Sequence, residues 1–312
     1  MLSLDINLIN ENFRKITEST AIGVFPYLGK NNKHAGDEIA VNAMRKELNS
    51  LPFGTRVIIG EGEKDDAPYL YEGEVLGKGD VILDLAVDPL ECTTNFSKGL
   101  PNSMSVLAYS EKDGLAPVPG TYMEQWIAGP EVGTPLNPEN TLRHNIEILS
   151  DYKRKTFDEL LIVVQERPRH EMLIRSLRDL GCGVALIESG SLSAVMDICL
   201  EFGHYDAMIG TYGAPEGLIS ALIAKATESQ MKAILRPHEE IYKERWEEAG
   251  YLVDQVMDKD DLVTGEFFGL SATCITSNLF LKGLVKKGKK LHGQTLTITP
   301  HGHEVHEFVT WE

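Results

Sequence analysis

From about residue 158 the sequence alternates between short apolar runs and amphipathic stretches, and no other feature narrows the fold more. Leu160–Val164 reads as a strand and precedes a helix over Arg169–Leu180. Gly183–Ile187 then precedes a helix over Leu192–Glu201, and Ala207–Gly210 precedes a helix over Pro215–Ala226. Strands that alternate with helices in this way imply a partly parallel sheet covered by those helices, because parallel neighbours need a long crossover.

The preceding part has a different texture. Ile6, Ile9, Phe13 and Ile16 recur at spacings of three and four, the period of an amphipathic helix. Ile39, Ala40, Ala43, Met44 and Leu48 mark a second helix that begins near Gly36-Asp37, which puts Asp37 at or near its N-terminus. Strands are expected at 55–59, 81–87, 103–109 and near 121–128, punctuated by Pro and Gly. At ~150 residues per domain, 312 residues make two domains or one large α/β unit. The polar stretch 150–158 is the expected boundary, giving a strand-rich N-terminal half over 1–157 and an α/β half over 158–312.

Composition limits the partners. With 30 Lys and Arg against 47 Asp and Glu the formal net charge is −17, which argues against a nucleic-acid partner or an anionic membrane surface. The first residues, Met1-Leu2-Ser3-Leu4-Asp5, lack the apolar core of a signal peptide, and no apolar run approaches the ~18 residues of a membrane span. Cys92, Cys182, Cys199 and Cys274 are scattered without metal-type spacing, as in a reduced cytoplasmic protein.

Acidic residues concentrate at strand ends and turns. Gly60-Glu61-Gly62-Glu63 follows the strand 55–59, and the strand 81–87 runs into Asp88-Pro89-Leu90-Glu91-Cys92-Thr93-Thr94-Asn95-Phe96. Asp84 and Asp88 are four residues apart and share one face of an extended strand, and Pro89 is expected to end the ladder and turn Glu91 back beside Asp88. Asp37, Glu61, Glu63, Asp84, Asp88 and Glu91 thus form a set of oxygen donors without paired His or Cys. Converging carboxylates need a cation, and such a set suits Mg²⁺ or Mn²⁺ rather than zinc or copper.

Asp88-Pro-Leu-Glu-x-Thr, with Asp84 before it and Gly60-Glu61-Gly62-Glu63 upstream, resembles the signature of the lithium-sensitive, metal-dependent phosphomonoesterases. Within that superfamily the chain is most similar to the class II, GlpX-type fructose-1,6-bisphosphatases. Further matches are Lys33-His-Ala-Gly-Asp37, Ala40-Val-Asn-Ala-Met-Arg45, Asp66-Ala-Pro-Tyr-Leu-Tyr-Glu-Gly-Glu74, Arg167-Pro-Arg-His170 and Gly213-Ala-Pro-Glu-Gly217, in order over about residues 10–285. The resemblance implies an α/β fold, a five-layer α-β-α-β-α sandwich with the phosphate site between two halves, and removal of the 1-phosphate from a sugar bisphosphate. It implies metal ligation by Asp37 and Glu61 at one ion and by Asp88, Glu91 and Glu216 at another, with the Leu90 carbonyl as an extra ligand. Thr93, with Glu61 or Glu63 taking its proton, would orient the attacking water, and Asp84 is grouped with these catalytic residues. Backbone amides around Cys92-Thr93 would hold the reacting phosphate. Lys33, Glu91, Tyr122, Arg167, Pro168, Arg169, Ser189, Ser191 and Gly213 fall among the substrate-binding positions, the two arginines suited to a second phosphate. The implied assembly is a dimer or tetramer.

The chain departs from the family pattern on the substrate side. Cys92 replaces a glycine, Thr273-Cys274 replaces a Thr-Gly pair, Ser189-Gly190-Ser191 replaces Asp-Gly-Asp, and Arg167 stands where many members have Lys. Fructose-1,6-bisphosphate and sedoheptulose-1,7-bisphosphate are the expected substrates. The alternatives are a phosphatase for another sugar or inositol phosphate and a weakened paralogue that binds sugar phosphates. The tail His301-Gly-His303-Glu-Val-His306 reads as a polar edge strand or as an imidazole cluster for zinc or nickel.

Overall fold

The computed structural model describes residues 6–61 and 69–311. Along the chain, α1 (Ile6–Val24) and α2 (Lys33–Leu48) precede β1 (Gly54–Ile59), β2 (Val75–Gly77), β3 (Val81–Glu91), α3 (Thr93–Lys98) and β4 (Met104–Glu111). Next come β5 (Tyr122–Ala128), α4 (Leu142–Lys153), β6 (Leu161–Gln165), α5 (Glu171–Asp179), β7 (Gly183–Ile187) and α6 (Leu192–Cys199). They are followed by β8 (Ala207–Gly213), α7 (Ala214–Ala226), β9 (Gln230–Arg236), α8 (Glu240–Glu248), β10 (Met257–Asp258) and α9 (Lys259–Leu262). The last strands are β11 (Phe268–Cys274), β12 (Val285–Lys287), β13 (Lys290–Thr299) and β14 (Gly302–Trp311).

These elements form two compact units, one running to Leu115 and resuming at Gly265, the other spanning Ala116–Thr264. This division corrects the cut expected at 157/158. β11 pairs antiparallel with β4 from Phe268↔Ser110 to Cys274↔Met104, so the C-terminal strands belong to the first sheet. β5, assigned by its position in the chain to the N-terminal half, instead lies between β8 and β9 in the second sheet. Pairing at such sequence separations leaves no mark on local periodicity.

The first unit is a mixed eight-stranded sheet in the order β12-β13-β11-β4-β3-β1-β2, with β14 on β13. Ile9, Phe13 and Ile16 of α1 bury one stripe, and the Phe13 ring lies 4.9 Å from Tyr109 in β4. Met44, Leu48, Leu83 and Leu85 close the same core; full burial of each such side chain contributes about 1.5–3 kcal/mol. α2 begins at Lys33, where the Asn32 side chain accepts the Ala35 amide at 3.1 Å. Asp37 therefore lies one turn inside the helix rather than at its N-terminus. Pro89 does not end β3 either. The strand continues to Glu91 through a register shift between Asp88 and Glu91, a bulge that accommodates the residue without an N–H.

The second unit is a six-stranded sheet in the order β10-β9-β5-β8-β6-β7. β6 runs parallel to β7 and β8, whereas β5 runs antiparallel to β8 and β9. The expected strand–helix alternation is present, and the class is mixed α/β. No helix among the described residues is long and apolar enough to cross a membrane. Cys92, Cys182, Cys199 and Cys274 are all buried, and none is in a disulfide.

Candidate active site

In the first unit, parallel strands deliver acidic residues to one rim. β1 pairs with β3 up to Ile59↔Ala86, so Glu61, two residues past Ile59, emerges level with Asp88, two past Ala86. Neighbouring strands lie about 4.8 Å apart. α2 brings Asp37 to the same rim through the residue before it: a Cβ on Gly36 would stand 3.0 Å from the Phe96 ring and 3.1 Å from Leu90. Glycine at 36 lets the helix settle on the turn after β3, and Ala40 buries against the same Leu90 and Phe96 cluster. The Leu90 amide donates to Asp88 Oδ1 at 3.2 Å, which folds the chain tightly after the bulge. Lys33 Nζ donates to Thr94 Oγ1 at 2.8 Å, next to Thr93. Asp37, Glu61, Asp88, Glu91, Thr93 and Lys33 are thus carried by elements that meet at this rim.

Thr93 and Asp84 have partners other than those expected from the sequence. Thr93 Oγ1 donates to the Leu90 carbonyl at 3.0 Å, so its proton is directed to that oxygen rather than to Glu61. Glu63 lies outside the described residues. Asp84 has a different role from the one expected. It is fully buried, accepts Arg56 Nε and a terminal Arg56 nitrogen at 2.9 Å each, and accepts the Asp113 amide at 2.7 Å. The Arg56 guanidinium is held strongly protonated, chiefly by Asp84. Four extended residues also put Asp84 roughly 13 Å from Asp88. Asp84 is thus held in a buried ion pair with Arg56, away from Asp88 along the strand.

The rim's donors are chemically suited to a hard cation. Among the described residues, however, no three His, Cys, Asp or Glu side chains are gathered as a metal-holding group. The convergence at this rim is one of backbone segments. Glu91 is buried, opposite Met104 in the ladder. Cys92, also buried, takes the left-handed conformation at φ 66 and ψ 43 just before α3. The turn therefore keeps the geometry natural to glycine although a cysteine occupies it.

In the second unit the relevant residues lie past the C-terminal ends of the parallel strands, the usual location of ligand sites in such sheets. β6 leads to Arg167-Pro168-Arg169, β7 to Ser189 and Ser191, and β8 ends on Gly213 before α7. Arg167 is extended at φ −140 with Pro168 opening a short 3-10 turn, and its guanidinium donates to the Glu166 carbonyl at 2.9 Å. Arg169 donates to the Thr211 carbonyl at 2.9 Å and to Gln165 Oε1 at 3.0 Å. Its guanidinium lies 4.8 Å from the Tyr122 ring centroid, a cation–π contact. Tyr122 is directly opposite Gly213 on one side and Arg236 on the other. A Cβ on Gly213 would stand 1.8 Å from Glu216 Oε2, so glycine there makes room for the Glu216 carboxylate to fold back over the strand end.

With this geometry in place, the sequence model of the family described as bacterial fructose-1,6-bisphosphatase, glpX-encoded, matches residues 7–311. The chain belongs to that family. It is 32% identical over 300 residues to the fructose-1,6-bisphosphatase class 2 of Haemophilus influenzae, an alignment that covers 92% of this chain and 90% of the relative. It is 34% identical over 305 residues to the D-fructose 1,6-bisphosphatase class 2/sedoheptulose 1,7-bisphosphatase of Thermosynechococcus vestitus, covering 89% and 88%. The enzyme of the same name from Trichormus variabilis is also 34% identical, over 304 residues. An inositol monophosphatase structure from Anabaena overlaps at a TM-score of 0.33 and 15% identity, over 62% of this chain and 71% of that one; the family assignment does not draw on it.

Within this glpX-encoded family, several residues that sequence reasoning passed over hold the named ones in place. His170 is buried; its Nε2 accepts the Thr211 amide at 2.8 Å, so Nδ1 carries the proton and donates to the Gln165 carbonyl at 2.7 Å. Burial holds this imidazole below its usual pKa range, and the two bonds tie the arginine turn to β8. The His238 ring packs 5.3 Å from Tyr122, and Arg236 pairs with Glu124 and Asp254 at 2.6 Å each. Arg45 pairs with Glu74 at 2.7 Å, and Glu74 also accepts the Leu70 amide at 2.6 Å, fixing the return of the chain beyond Glu61. His170, Arg45 and Glu74 lie inside motifs shared with the family, and that is the signal that could have found them. Arg236 and His238 have none.

Proposed function

We propose that this member of the class II fructose-1,6-bisphosphatase family hydrolyses the 1-phosphate of a sugar bisphosphate, fructose-1,6-bisphosphate first and sedoheptulose-1,7-bisphosphate second. The observation that carries the reading is the rim where β1, β3, α2 and α3 meet, with Glu61 and Asp88 emerging level from adjacent parallel strands. The family works with a divalent metal. Here Asp37, Glu61, Asp88, Glu91 and the Leu90 carbonyl would hold Mg²⁺ or Mn²⁺, which would neutralise phosphoryl oxygens and make water nucleophilic.

The protein's own groups do the rest. Thr93 Oγ1 donates a hydrogen bond to the Leu90 carbonyl, so its lone pairs are available to orient a water. Lys33, beside Thr94, adds positive charge next to the turn that would receive the reacting phosphate. Arg167 and Arg169 lie on a proline-set turn and grip the non-reacting phosphate, and Tyr122 supplies the face on which Arg169 rests. Ser189 and Ser191 are donors as well as acceptors, unlike the carboxylates of the family pattern, and so tolerate a wider set of sugar hydroxyls.

Phosphate release from fructose-1,6-bisphosphate is expected to require Mg²⁺ or Mn²⁺ and to cease in EDTA; unchanged turnover in EDTA overturns the proposal. Cys92 and the Ser189/Ser191 pair also motivate the second reading, a weakened paralogue that binds sugar phosphates. Calorimetry that finds tight sugar-bisphosphate binding without phosphate release favours that one.

A further inference from the structure

The ring contacts that continue beyond Tyr122 lie outside the set of residues that touch substrate. β9 ends at Arg236, directly opposite Tyr122 on β5. Pro237 follows, and it has no N–H with which to extend the ladder. His238 is the first residue past it, and its amide donates to Thr121 Oγ1 at 3.2 Å instead of to a strand. Having accepted that amide, the Thr121 hydroxyl gives its own proton to His238 Nδ1 at 2.8 Å. Nε2 then carries the ring proton and faces Glu239 Oε1, 3.6 Å away.

These two bonds fix the imidazole beside the start of β5. Its centroid lies 5.3 Å from that of the Tyr122 ring, with the planes inclined at 60°, an edge-on aromatic contact. The Tyr242 ring of α8 packs 4.9 Å from the same imidazole. Arg169, Tyr122, His238 and Tyr242 are therefore a continuous stack from the arginine turn to α8. Tyr122 needs that support, because its ring is 39% exposed and it makes no side-chain hydrogen bond among the described residues. Arg169 is held at Nε by the Thr211 carbonyl and at one terminal nitrogen by Gln165. Its other terminal nitrogen donates to no side chain or carbonyl among the described residues, and Tyr122 lies on the guanidinium.

We propose that His238 is a positioning residue for the non-reacting phosphate: its imidazole holds the Tyr122 ring against the Arg169 guanidinium and so aims the open terminal nitrogen of Arg169 at that phosphate. This role rests on the sugar-bisphosphate phosphatase reading. It differs from a purely structural one, in which His238 only joins the end of β9 to the start of β5 through Thr121. The ring serves the first role and Nδ1 the second, so substitution can remove one without the other.

Steady-state kinetics of the full chain test it. His238→Ala is expected to raise KM for fructose-1,6-bisphosphate about 3- to 10-fold at constant kcat, the worth of a cation–π contact and an aromatic pair together. His238→Phe keeps the ring and gives up the Thr121 bond, and is expected to return KM to near the wild-type value. His238→Asn keeps an acceptor for the Thr121 hydroxyl and gives up the ring, and is expected to behave as alanine does. In an Arg169→Ala background, His238→Ala is expected to change KM no further, because it acts through that guanidinium. Rescue by asparagine but not by phenylalanine, or a fall in kcat at constant KM, overturns the proposal. Calorimetry with fructose 6-phosphate, which carries only the non-reacting phosphate, separates the two possible failures. Binding that His238→Ala weakens, in a chain that releases no phosphate, overturns the phosphatase reading and keeps the stack. Equal KM and equal binding in wild type and His238→Ala, or a wild type that binds no fructose 6-phosphate, overturns the stack.

Discussion

The rim of the first unit and the rim of the second both lie past the ends of parallel strands, yet they offer opposite chemistry. The first is approached by the segments that carry Asp37, Glu61, Asp88 and Glu91, with Lys33 at its margin. The second carries Arg167 and Arg169 on one turn, with Arg169 resting on Tyr122. Like-charged residues are told apart by the partner the fold assigns to each. Asp84 and Asp88 show this on a single strand. β1 places Arg56 directly opposite Asp84, and Asp84 is consumed in a buried pair, whereas Asp88 receives the Leu90 amide at the strand's far end. A net charge of −17 is therefore no bar to a doubly phosphorylated ligand, because a rim that holds cations becomes electropositive.

The sharpest way to break the comparison is to neutralise the two aspartates separately. Asp88→Asn is expected to lower phosphate release by at least ~10²-fold with little change in melting temperature. Asp84→Asn is expected to do the reverse, destabilising by about 1.5–3 kcal/mol because Arg56 loses its buried carboxylate and keeps only the exposed Asp113. Thermal melts and kcat of the still-folded fraction check both, and equal losses of activity at equal stability would erase the distinction.

On the basic rim, Arg169→Ala is expected to raise KM ~10- to 100-fold, the worth of a charge-assisted hydrogen bond to phosphate, while kcat changes little. A large fall in kcat with constant KM would instead place Arg169 at the reacting phosphate. A smaller effect is expected at Cys92, which holds φ 66. Valine there is expected to destabilise by about 1–2 kcal/mol, since a β-branched residue is strained in the left-handed region, and glycine is expected to be neutral within ~1 kcal/mol. Chemical denaturation measures both.

The smallest effect is a pH dependence. The folded state holds His170 below its ordinary pKa, so below about pH 6.5 the unfolded chain binds the proton first. Its stabilising share is complete above that pH and declines as pH falls toward the lowered value. The slope it adds is at most about 1.4 kcal/mol per pH unit, and His170→Asn is expected to flatten that limb of the stability curve.

Much of the fold and of the site is legible in the amino-acid sequence. The 3.6-residue period of Ile9, Phe13 and Ile16 and the alternation beyond residue 158 identify α1 and the second sheet, because local burial periodicity reports helix and strand directly. The ordered motifs from Lys33 to Gly217 identify the family, which the match over residues 7–311 shows. The boundary expected at 157 is misplaced because β4 recruits β11 across more than 150 residues, and nothing near either strand records its partner. Local rules make Pro89 a stop, since its missing N–H is forbidden in a regular ladder. The bulge that accepts it depends on β4.

The sequence by itself determined the chemistry: oxygen donors at strand ends, two arginines about a proline, and a Thr beside a tight turn. Residue type and spacing suffice for that, since ligand preference and turn propensity belong to short segments. Only the tertiary structure decided which of two aspartates on one strand is tied into a buried ion pair. That choice depends on Arg56 standing opposite Asp84 on a neighbouring strand, on Gly36 letting α2 close over Leu90, and on His170 binding β8 to the arginine turn. Electrostatics and packing act through space, so a charge acquires its role only when the fold has fixed what lies beside it.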